Sequence, residues 1–399
     1  MITSIALIVF WFSVGLMFHS YVLYPALLKL FSAGKKENAV CYEETAPGLP
    51  PVYVVFAAYN EERVMQEKLE SIYNTTYPAD KLHVVIGSDN STDRTNEIVS
   101  GFNSGAAAKL LVEFEGRNGK AAVLNQLVKM LFEKGVNQQE AVFILTDANV
   151  MFTPGAIYQL VKHFKNPDIG LVGANIMNQG ARQDGISVQE TTYIKGENGV
   201  KYLEGLNWGS MMGAFGACYA IKAAYWREIP PNYLMEDFYI SMNVLASGKK
   251  AISEPTAICR EDVSNEVAEE FKRKSRIQAG NFQNLLAYRG LLFRFDAVGF
   301  CFFSHKLIRW LGPVFIFAAY LTNVFLLGQG QFYLFTFILQ NLLLVSPVID
   351  ALLKALGVNL VLLRFASYFY MMNLALVNGF IIFMRGVKSS AWTPTKRNI

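Results

Sequence analysis

Apolar and polar positions divide the chain into an apolar start, a mixed middle and an apolar end. Residues 2–28 contain no Lys, Arg, Asp or Glu, and about 20 apolar residues suffice to cross the hydrocarbon core of a bilayer. The first basic residues follow this run instead of preceding it, which favours an uncleaved transmembrane anchor at 1–31 over a cleaved signal peptide. The basic flank also predicts that the region after the anchor is cytoplasmic.

The apolar end of the chain predicts C-terminal transmembrane helices within 307–385. Its three apolar runs are 310–327, 332–349 and 365–384. Basic residues predict a cytoplasmic loop after the second run and a cytoplasmic basic tail at 386–399. If all three runs cross the membrane from a cytoplasmic domain, the tail ends outside. The basic residues of the tail predict instead that it is cytoplasmic, so the two predictions conflict. The sequence therefore leaves the number of full crossings open.

The mixed middle alternates two kinds of pattern. Gly, Pro and mixed charge predict a linker at 32–50, followed by a domain at 51–283. Helix-like stretches separate short β-branched runs in this domain, and the runs predict strands at 52–58, 82–87, 109–114 and 141–145. This alternation predicts an α/β fold, in which helices cover both faces of a mostly parallel sheet.

Residues 284–306 combine aromatic side chains with Arg289, Arg294 and Lys306. That composition predicts an amphipathic helix lying in the membrane interface. An ordinary buried helix of the soluble domain is the alternative.

Composition narrows the function classes. The chain has 399 residues, of which 52% are hydrophobic, and a formal net charge of only +4. Basic residues beside membrane segments explain so small a charge, which gives no reason to expect nucleic acid as a partner. The four cysteines form no Cys-x-x-Cys pair, which disfavours a zinc site or a disulfide framework and fits a reducing compartment.

Short acidic motifs follow the predicted strands and recur before a later helix. They are Tyr59-Asn60-Glu61-Glu62, Ser88-Asp89-Asn90-Ser91-Thr92-Asp93, Thr146-Asp147-Ala148-Asn149 and Met235-Glu236-Asp237-Phe238. Open α/β sheets bind ligands at the carboxyl ends of their strands. The pattern therefore predicts an enzyme that handles a charged, soluble substrate beside a bilayer.

Five motifs in a fixed order resemble the membrane-bound processive branch of the family 2 glycosyltransferases, which includes synthases of cellulose, chitin, hyaluronan and poly-N-acetylglucosamine. The motifs lie at 59–62, 89–93, 119–125, 147–149 and 236–237. The resemblance covers roughly residues 50 to 315. It implies a GT-A fold, a sugar-nucleotide donor and an inverting mechanism.

The resemblance implies donor contacts at the first three motifs. Asp89 and the Asn60-Glu61 turn would contact the nucleotide. From residue type alone, a helix cap or turn is the favoured role for Asp89, and compensation of the helix dipole is the alternative for Glu61. Lys120 follows Gly119 at a predicted helix start, where backbone amides and an ammonium suit a phosphate. A solvated surface lysine is the alternative for Lys120.

Asp147 stands where the family has an Asp-x-Asp that binds Mg²⁺ or Mn²⁺ together with the donor diphosphate. Hard cations prefer oxygen ligands and keep several waters, so one or two protein carboxylates suffice. Asn149 replaces the second aspartate. An amide oxygen still ligates a metal but has no charge, so the resemblance implies a metal site of lowered affinity at Asp147 and Asn149.

The resemblance implies that Asp237 is the general base, taking the proton from an acceptor hydroxyl as its oxygen attacks the anomeric carbon. A base must lie within about 3 Å of that hydroxyl or act through one water. The structural alternative for Glu236 and Asp237 is dipole compensation at a helix start. Gly216, in a stretch of small residues, and Glu236 are candidate acceptor contacts.

The basic stretch 272–280 is similar to the family's Gln-x-x-Arg-Trp region through Arg276 and Gly280. Arg276 would hold the donor diphosphate, because a guanidinium matches a phosphate in a bidentate fork. Ile277 stands where the family has the Trp that stacks on the acceptor sugar, so this position is a further candidate acceptor contact. This departure argues against a long-polymer product.

The predicted protein is a multi-pass, metal-dependent inverting hexosyltransferase of the plasma (inner) membrane with a cytoplasmic catalytic domain. It would move a sugar from a nucleotide-sugar donor, expected to be UDP-linked, to a glycan acceptor at the membrane in polysaccharide biosynthesis. A glycolipid-forming transferase that adds one sugar to a lipid is the alternative within this class. A non-catalytic membrane partner that binds nucleotide sugars is the alternative outside it.

Overall fold

The structure is a computed structural model, and it describes residues 1–180, 186–262, 266–358 and 360–391. These residues form two compact units. The sheet unit comprises the described residues of 31–180, 191–262 and 386–391. The membrane-helix unit comprises 1–30, 186–190 and 266–385. Most of the basic tail predicted at 386–399 lies outside the described residues.

The sheet unit is built on an eight-stranded mixed sheet in the order β3-β2-β1-β4-β7-β6-β8-β5. Its strands are β1 (Val52–Ala58), β2 (Leu82–Ser88), β3 (Ala108–Glu113), β4 (Val142–Thr146), β5 (Val150–Phe152), β6 (Ile169–Gln179), β7 (Cys218–Lys222) and β8 (Lys250–Asp262). The first four strands pair in parallel, β7 runs antiparallel to both its neighbours, and β6 pairs with β8 in parallel.

Fourteen α-helices lie in the described residues of the two units. They are α1 (Ile2–Phe18), α2 (Tyr24–Phe31), α3 (Glu62–Tyr73), α4 (Thr95–Gly101), α5 (Lys120–Glu133), α6 (Ala156–Val161), α7 (Ser187–Trp208), α8 (Glu236–Ala246), α9 (Val267–Ala287), α10 (Ala297–Cys301), α11 (Ile308–Trp310), α12 (Gly312–Leu326), α13 (Gln331–Ala355) and α14 (Val361–Met384).

The core of the sheet unit follows from its strand sequences. β4 is buried along its whole length, and six of the seven residues of β1 are buried. Continuous burial is typical of parallel strands covered on both faces. Helix α3 supplies Met65, Leu69 and Ile72 to the same apolar cluster, at the three-to-four residue spacing of one helix face.

Parallel pairing brings the carboxyl ends of β1, β2 and β4 to one edge of the sheet, called here the motif edge. Ala58 pairs with Ser88, so Asn60 and Asp89 leave the sheet side by side. Asn60 and Asn90 adopt positive φ values of 52° and 62°. Asparagine tolerates this left-handed conformation better than most residues, so both loops turn sharply back over the edge.

The membrane-helix unit contains helices of membrane-spanning length. Four stretches in the described residues are long and apolar enough to cross a bilayer: Ile2–Phe31, Gly312–Gln329, Gln331–Ala355 and Val361–Met384. Their surfaces are mostly apolar and exposed, with Phe335 and Leu362 at 64% and 83% exposure. Exposed apolar surface on this scale marks an interaction surface and fits insertion in lipid. Within this unit α9 packs along α14.

The segment predicted as one interfacial helix at 284–306 consists of shorter pieces. After α9 the chain forms a 3₁₀ turn (Arg289–Phe293), then α10 and a π-helical turn (Phe302–Leu307). Asp296 caps α10 by accepting a hydrogen bond from the Gly299 amide at 2.9 Å. The location of this segment at a membrane surface stays a prediction.

Candidate active site

The loops after β1 and β2 hold each other through side-chain to backbone hydrogen bonds. The Asn60 side-chain oxygen accepts from the Thr92 amide at 2.8 Å. The Glu61 amide donates to the Thr95 hydroxyl at 2.8 Å, and the Glu62 amide donates to Asp93 at 3.0 Å. The first two acidic motifs therefore hold each other in place. The Asn60 side chain holds the backbone of the second motif, and the Asp93 side chain holds the backbone of the first.

Asp89 holds the loop that precedes α5. Its carboxylate is fully buried and accepts hydrogen bonds from the backbone amides of Asn118 and Gly119, at 2.7 and 3.0 Å. Arg117 pairs with it at 3.3 Å. Asp89 thus orients the start of α5, and a direct contact with a nucleotide stays a prediction.

Arg117 is a residue of this edge that the sequence motifs did not indicate. Its guanidinium lies over the Tyr59 ring, with Cζ 3.2 Å from the ring centroid. A guanidinium over an aromatic face is attracted by the ring quadrupole. The pair leaves a flat, partly exposed cationic surface next to the Asn60 turn, since 26% of the Arg117 side chain is exposed.

Lys120, the first residue of α5, joins two of the distant motifs. Its Nζ lies 2.6 Å from Asp147 Oδ1 and 2.5 Å from Glu236 Oε1. Burial opposes the charge of this ammonium, but the two carboxylates outweigh burial and raise the pKa of Lys120 above its ordinary value. Lys120, Asp147 and Glu236 come from motifs that are far apart in the chain, and they lie together within the sheet unit.

Asp147 offers one partly exposed carboxylate, a group that hard divalent cations prefer as a ligand. The Asp147 side chain remains 35% exposed and already contacts a cation, the Lys120 ammonium. Among the described residues, no group of three or more His, Cys, Asp and Glu side chains is placed to hold a metal ion. Hard cations of this kind are bound by one or two carboxylates plus substrate phosphates.

Asn149, the second predicted metal ligand, lies in the turn between β4 and β5. Its amide nitrogen donates to Glu261 Oε1 at 3.4 Å. A bond through the nitrogen leaves the amide oxygen as the group of Asn149 that suits a metal.

Asp237 lies in the first turn of α8, beside Glu236, and each residue is 6% exposed. Its Oδ1 accepts a hydrogen bond from the Phe238 amide at 2.8 Å. Burial and the neighbouring charge of Glu236 raise the pKa of Asp237 to about 6, against an opposing contribution from Lys120. A carboxylate with such a pKa is poised to accept a proton near neutral pH.

A glycine loop, residues 213–217, lies against the Asp237 carboxylate. A side chain at Gly216 would place its Cβ 2.9 Å from Asp237 Oδ2, and one at Gly213 would meet the Phe238 ring at 2.5 Å. Gly213 also has a φ of +79°. The Ala214 amide donates to the Ser241 hydroxyl at 3.0 Å, which ties the loop to α8. Glycine is required here because the backbone approaches Asp237 closely.

Two further buried groups, Lys201 and Tyr219, act on the Asp237 region. The sequence motifs did not indicate either of them. The Lys201 ammonium lies 3.2 Å from the Phe215 ring centroid, and its charge acts to lower the pKa of Asp237. The Tyr219 hydroxyl is buried without a hydrogen-bond partner among the described residues. Burial and the charges of Glu236, Asp237 and Asp147 raise its pKa well above the ordinary value.

Arg276 and Ile277 belong to α9 of the membrane-helix unit, so their place beside the donor stays a prediction. The two other basic residues of that turn are held within the unit. Lys274 contacts Glu190 at 2.8 Å, and Arg273 contacts the same carboxylate at 3.0 Å. Burial opposes the charge of Glu190, but these two cations lower its pKa to about 2.

Comparison with known proteins identifies the family. Residues 50–280, more than half of the chain, match the family model described as Glycosyltransferase like family 2. The chain belongs to that family, which confirms the resemblance drawn from the motifs.

Two curated relatives support this assignment. The probable glycosyltransferase YdaM of Bacillus subtilis is 38% identical over 68 residues, covering 17% of this chain and 16% of that protein. A poly-beta-1,6-N-acetyl-D-glucosamine synthase of Staphylococcus epidermidis is 26% identical over 239 residues, covering 58% of this chain and 55% of the synthase. The chain thus spans about half the length of that synthase and less of the first relative.

A solved structure supports the fold. The chain is similar to a mannosyltransferase from Pyrobaculum calidifontis in complex with GDP-Man and Mn²⁺, with a TM-score of 0.68 and 19% sequence identity. The similarity covers 96% of this chain and 99% of the mannosyltransferase chain. It confirms the predicted α/β GT-A fold accompanied by helices of membrane-spanning length.

Proposed function

We propose that the protein is a membrane-anchored, inverting glycosyltransferase that moves a hexose from a nucleotide-sugar donor to an acceptor at the membrane. The observation that supports it best is the Lys120 ammonium, which bridges Asp147 and Glu236 beside Asp237. These residues come from three motifs separated by up to 117 positions. An arrangement of acceptors, a cation and a base with raised pKa is suited to a leaving diphosphate and an attacking hydroxyl.

In the proposed reaction Asp237 accepts the proton of the acceptor hydroxyl while that oxygen bonds to the anomeric carbon. The bond between this carbon and the diphosphate breaks in the same step, so the anomeric centre inverts. Lys120 would turn from the carboxylates towards the diphosphate, to which its ammonium contributes charge stabilisation. A divalent cation, Mg²⁺ or Mn²⁺, would be held by Asp147 and Asn149 and would neutralise charge on the departing phosphates.

Donor binding would involve both ends of the motif edge. Asn60, Glu61 and Asp89 shape the loops that would receive the base and ribose, and the Arg117–Tyr59 pair supplies a flat surface beside them. Arg276 would add a guanidinium to the diphosphate. A UDP-sugar is the proposed donor.

The acceptor would approach Asp237 past the glycine loop, since Gly216 leaves the carboxylate uncovered by any side chain of its own. A growing glycan is the first candidate, because the relative from S. epidermidis is named a polysaccharide synthase. A lipid that receives one sugar is the second, because Ile277 replaces a Trp expected to stack on a sugar.

The test uses membranes containing the full chain, incubated with labelled UDP-GlcNAc, UDP-glucose, UDP-galactose and GDP-mannose in Mn²⁺. We expect label transfer from a UDP-sugar, abolished by EDTA and by Asp147→Ala. Sizing the product separates the acceptors, because a polymer remains large and a glycolipid extracts into organic solvent. If no donor is consumed while UDP binds normally, the non-catalytic membrane partner is the correct alternative.

A further inference from the structure

A lysine buried beneath the predicted metal site has no role in the reaction described so far. Lys68, on α3, is 0% exposed. Its Nζ donates to the Thr146 hydroxyl at 3.0 Å and to the Val150 carbonyl oxygen at 2.5 Å. The ammonium also lies 4.3 Å from the Phe152 ring centroid.

The two acceptors of Lys68 bracket the metal turn, defined as residues 147–149. Thr146 is the last residue of β4, and Val150 is the first of β5. One ammonium therefore clamps both ends of the turn that presents Asp147 and Asn149. In the sheet of the described residues β4 and β5 are not neighbours, and the turn between them has its own backbone hydrogen bond, from the Val150 amide to the Asp147 carbonyl at 3.3 Å.

The clamp extends to the glycine loop. The Thr146 hydroxyl donates to the Ala217 carbonyl at 2.8 Å, and the Asp147 amide donates to the same oxygen at 3.1 Å. Ala217 follows Gly216, whose backbone lies against the Asp237 carboxylate. A chain of contacts thus runs from Lys68 to both the metal turn and the predicted base.

A buried ammonium is costly, because the charged form loses its hydration. Burial lowers the pKa of Lys68 to about 8, opposed by the nearby Cys218, Cys259 and Asp147. A methionine would fill the space beside Phe152 without burying a charge, but it would leave the Val150 carbonyl without this donor. The charge therefore has an identifiable use only in holding the turn and in placing positive potential under Asp147.

We propose that Lys68 is a positioning residue for the metal site, whose ammonium fixes the 146–150 backbone so that Asp147 and Asn149 present their oxygens to the cation. The inference rests on the proposed function, since it takes Asp147 as a metal ligand. Residues that orient metal ligands through hydrogen bonds typically change metal affinity by about 10- to 100-fold when replaced.

The chain offers a matched control in Lys109. Its Nζ donates to the backbone carbonyls of Val99 and Phe102 at 2.6 and 2.5 Å and lies 6.0 Å from the Phe102 ring centroid. Like Lys68 it donates to backbone carbonyls, but it is only partly buried, and it holds the end of α4 against β3, away from the metal turn. Lys68→Met and Lys109→Met should both lower the melting temperature, and only the first should alter the metal site.

The experiment measures Mn²⁺ binding by electron paramagnetic resonance on the purified full chain in detergent, with UDP in one series and GDP in another. We expect Lys68→Met to weaken Mn²⁺ binding at least tenfold and to change the spectrum of the bound ion, and Lys109→Met to stay within twofold of the wild type. Thr146→Val keeps the side-chain shape but removes the hydroxyl, and it should weaken Mn²⁺ binding in the same direction.

Each result either supports or overturns the proposed role of Lys68. Folded Lys68→Met with wild-type Mn²⁺ affinity overturns the role of Lys68 alone, provided that Asp147→Ala has lost the metal. If Lys68→Met does not fold, an unchanged affinity in Thr146→Val overturns it instead. If the wild-type chain fails to bind Mn²⁺ in the presence of UDP and also in the presence of GDP, the proposed metal site is overturned. The proposed role of Lys68 is then overturned as well.

Discussion

The two halves of the motif edge use aspartate in opposite ways. Asp89 is fully buried, and its two carboxylate oxygens accept hydrogen bonds from the amides of Asn118 and Gly119. The charge of Asp89 therefore stabilises the protein's own backbone. Asp147 is 35% exposed, and its close partner is the end of a flexible side chain, Lys120. An ammonium on a long stem moves aside for a ligand, whereas backbone amides do not. The same residue type at the same edge therefore holds the backbone at Asp89, whereas at Asp147 it is left available for the proposed ligand role.

The largest expected effect is that of removing the Asp147 carboxylate, the proposed metal ligand, on the rate of sugar transfer. We expect Asp147→Ala to reduce kcat/KM for sugar transfer by about 10²- to 10³-fold, because the loss of one group that stabilises developing charge typically costs about 2.7–4 kcal/mol. The melting temperature should stay close to that of the wild type, because Asp147 is partly exposed and Lys120 keeps its contact with Glu236. Transfer assays with purified protein and thermal denaturation measure both. A variant that keeps its rate would move the metal away from Asp147.

Replacing Asp89 should affect folding first. Asp89→Asn puts an amide NH₂ against one of the donors that now face a carboxylate, and leaving a buried donor unsatisfied costs about 1–3 kcal/mol. Chemical denaturation measures the free energy of unfolding. Asp168→Asn is the control, because the Asp168–Lys250 pair is exposed and such pairs contribute about 0–1 kcal/mol. Full stability in Asp89→Asn, with donor affinity lost, would make Asp89 a direct ligand as well.

The pH dependence of transfer should report Asp237. Its pKa of about 6 is raised above the ordinary value, so the base is protonated and inactive below that pH. We expect kcat/KM to fall about tenfold per pH unit on the acid side and to level off above the pKa. Glu236→Gln removes one of the charges that raise this pKa, so the midpoint should move to lower pH. A profile flat down to pH 4.5, well below that midpoint (about 6), would exclude Asp237 as the titrating base.

The smallest expected effect concerns the Arg117–Tyr59 surface. Arg117→Met removes a cation over a ring and one contact to Asp89, and we expect a loss of about 1 kcal/mol in unfolding free energy. The donor KM should rise less than tenfold. Arg94→Met is the control, because the Arg94–Glu97 pair is 71% exposed on both sides. A much larger rise in KM would make Arg117 the principal contact of the nucleotide.

Local patterns predicted part of this fold and site. Strand β1 spans 52–58 as its β-branched run indicates, and the acidic motifs after β1, β2 and β4 lie together because parallel strands end at one edge. The antiparallel insertion of the short strand β7 between β4 and β6 depends on long-range pairing, which no local pattern encodes.

The roles of the cationic residues Lys68, Arg117 and Lys201 could not be predicted from the sequence, because they too depend on long-range packing. Lys68 stands between Glu67 and Leu69 on a helix, and its residue type favours a solvated position. Its burial depends on the way α3 packs against β5. Arg117 and Lys201 likewise acquire their roles only when rings of Tyr59 and Phe215 are brought to them.

The claim that Asp237 removes the proton of the acceptor is tested most directly by Asp237→Asn, assayed in parallel for Mn²⁺-dependent donor binding and for transfer. The amide keeps the shape beside Gly216 but accepts no proton. We predict donor affinity within threefold of the wild type and a transfer rate at least 10³-fold lower, in line with losses of about 10²–10⁴ for a general base. A variant that binds donor and still transfers sugar at the wild-type rate would contradict the account.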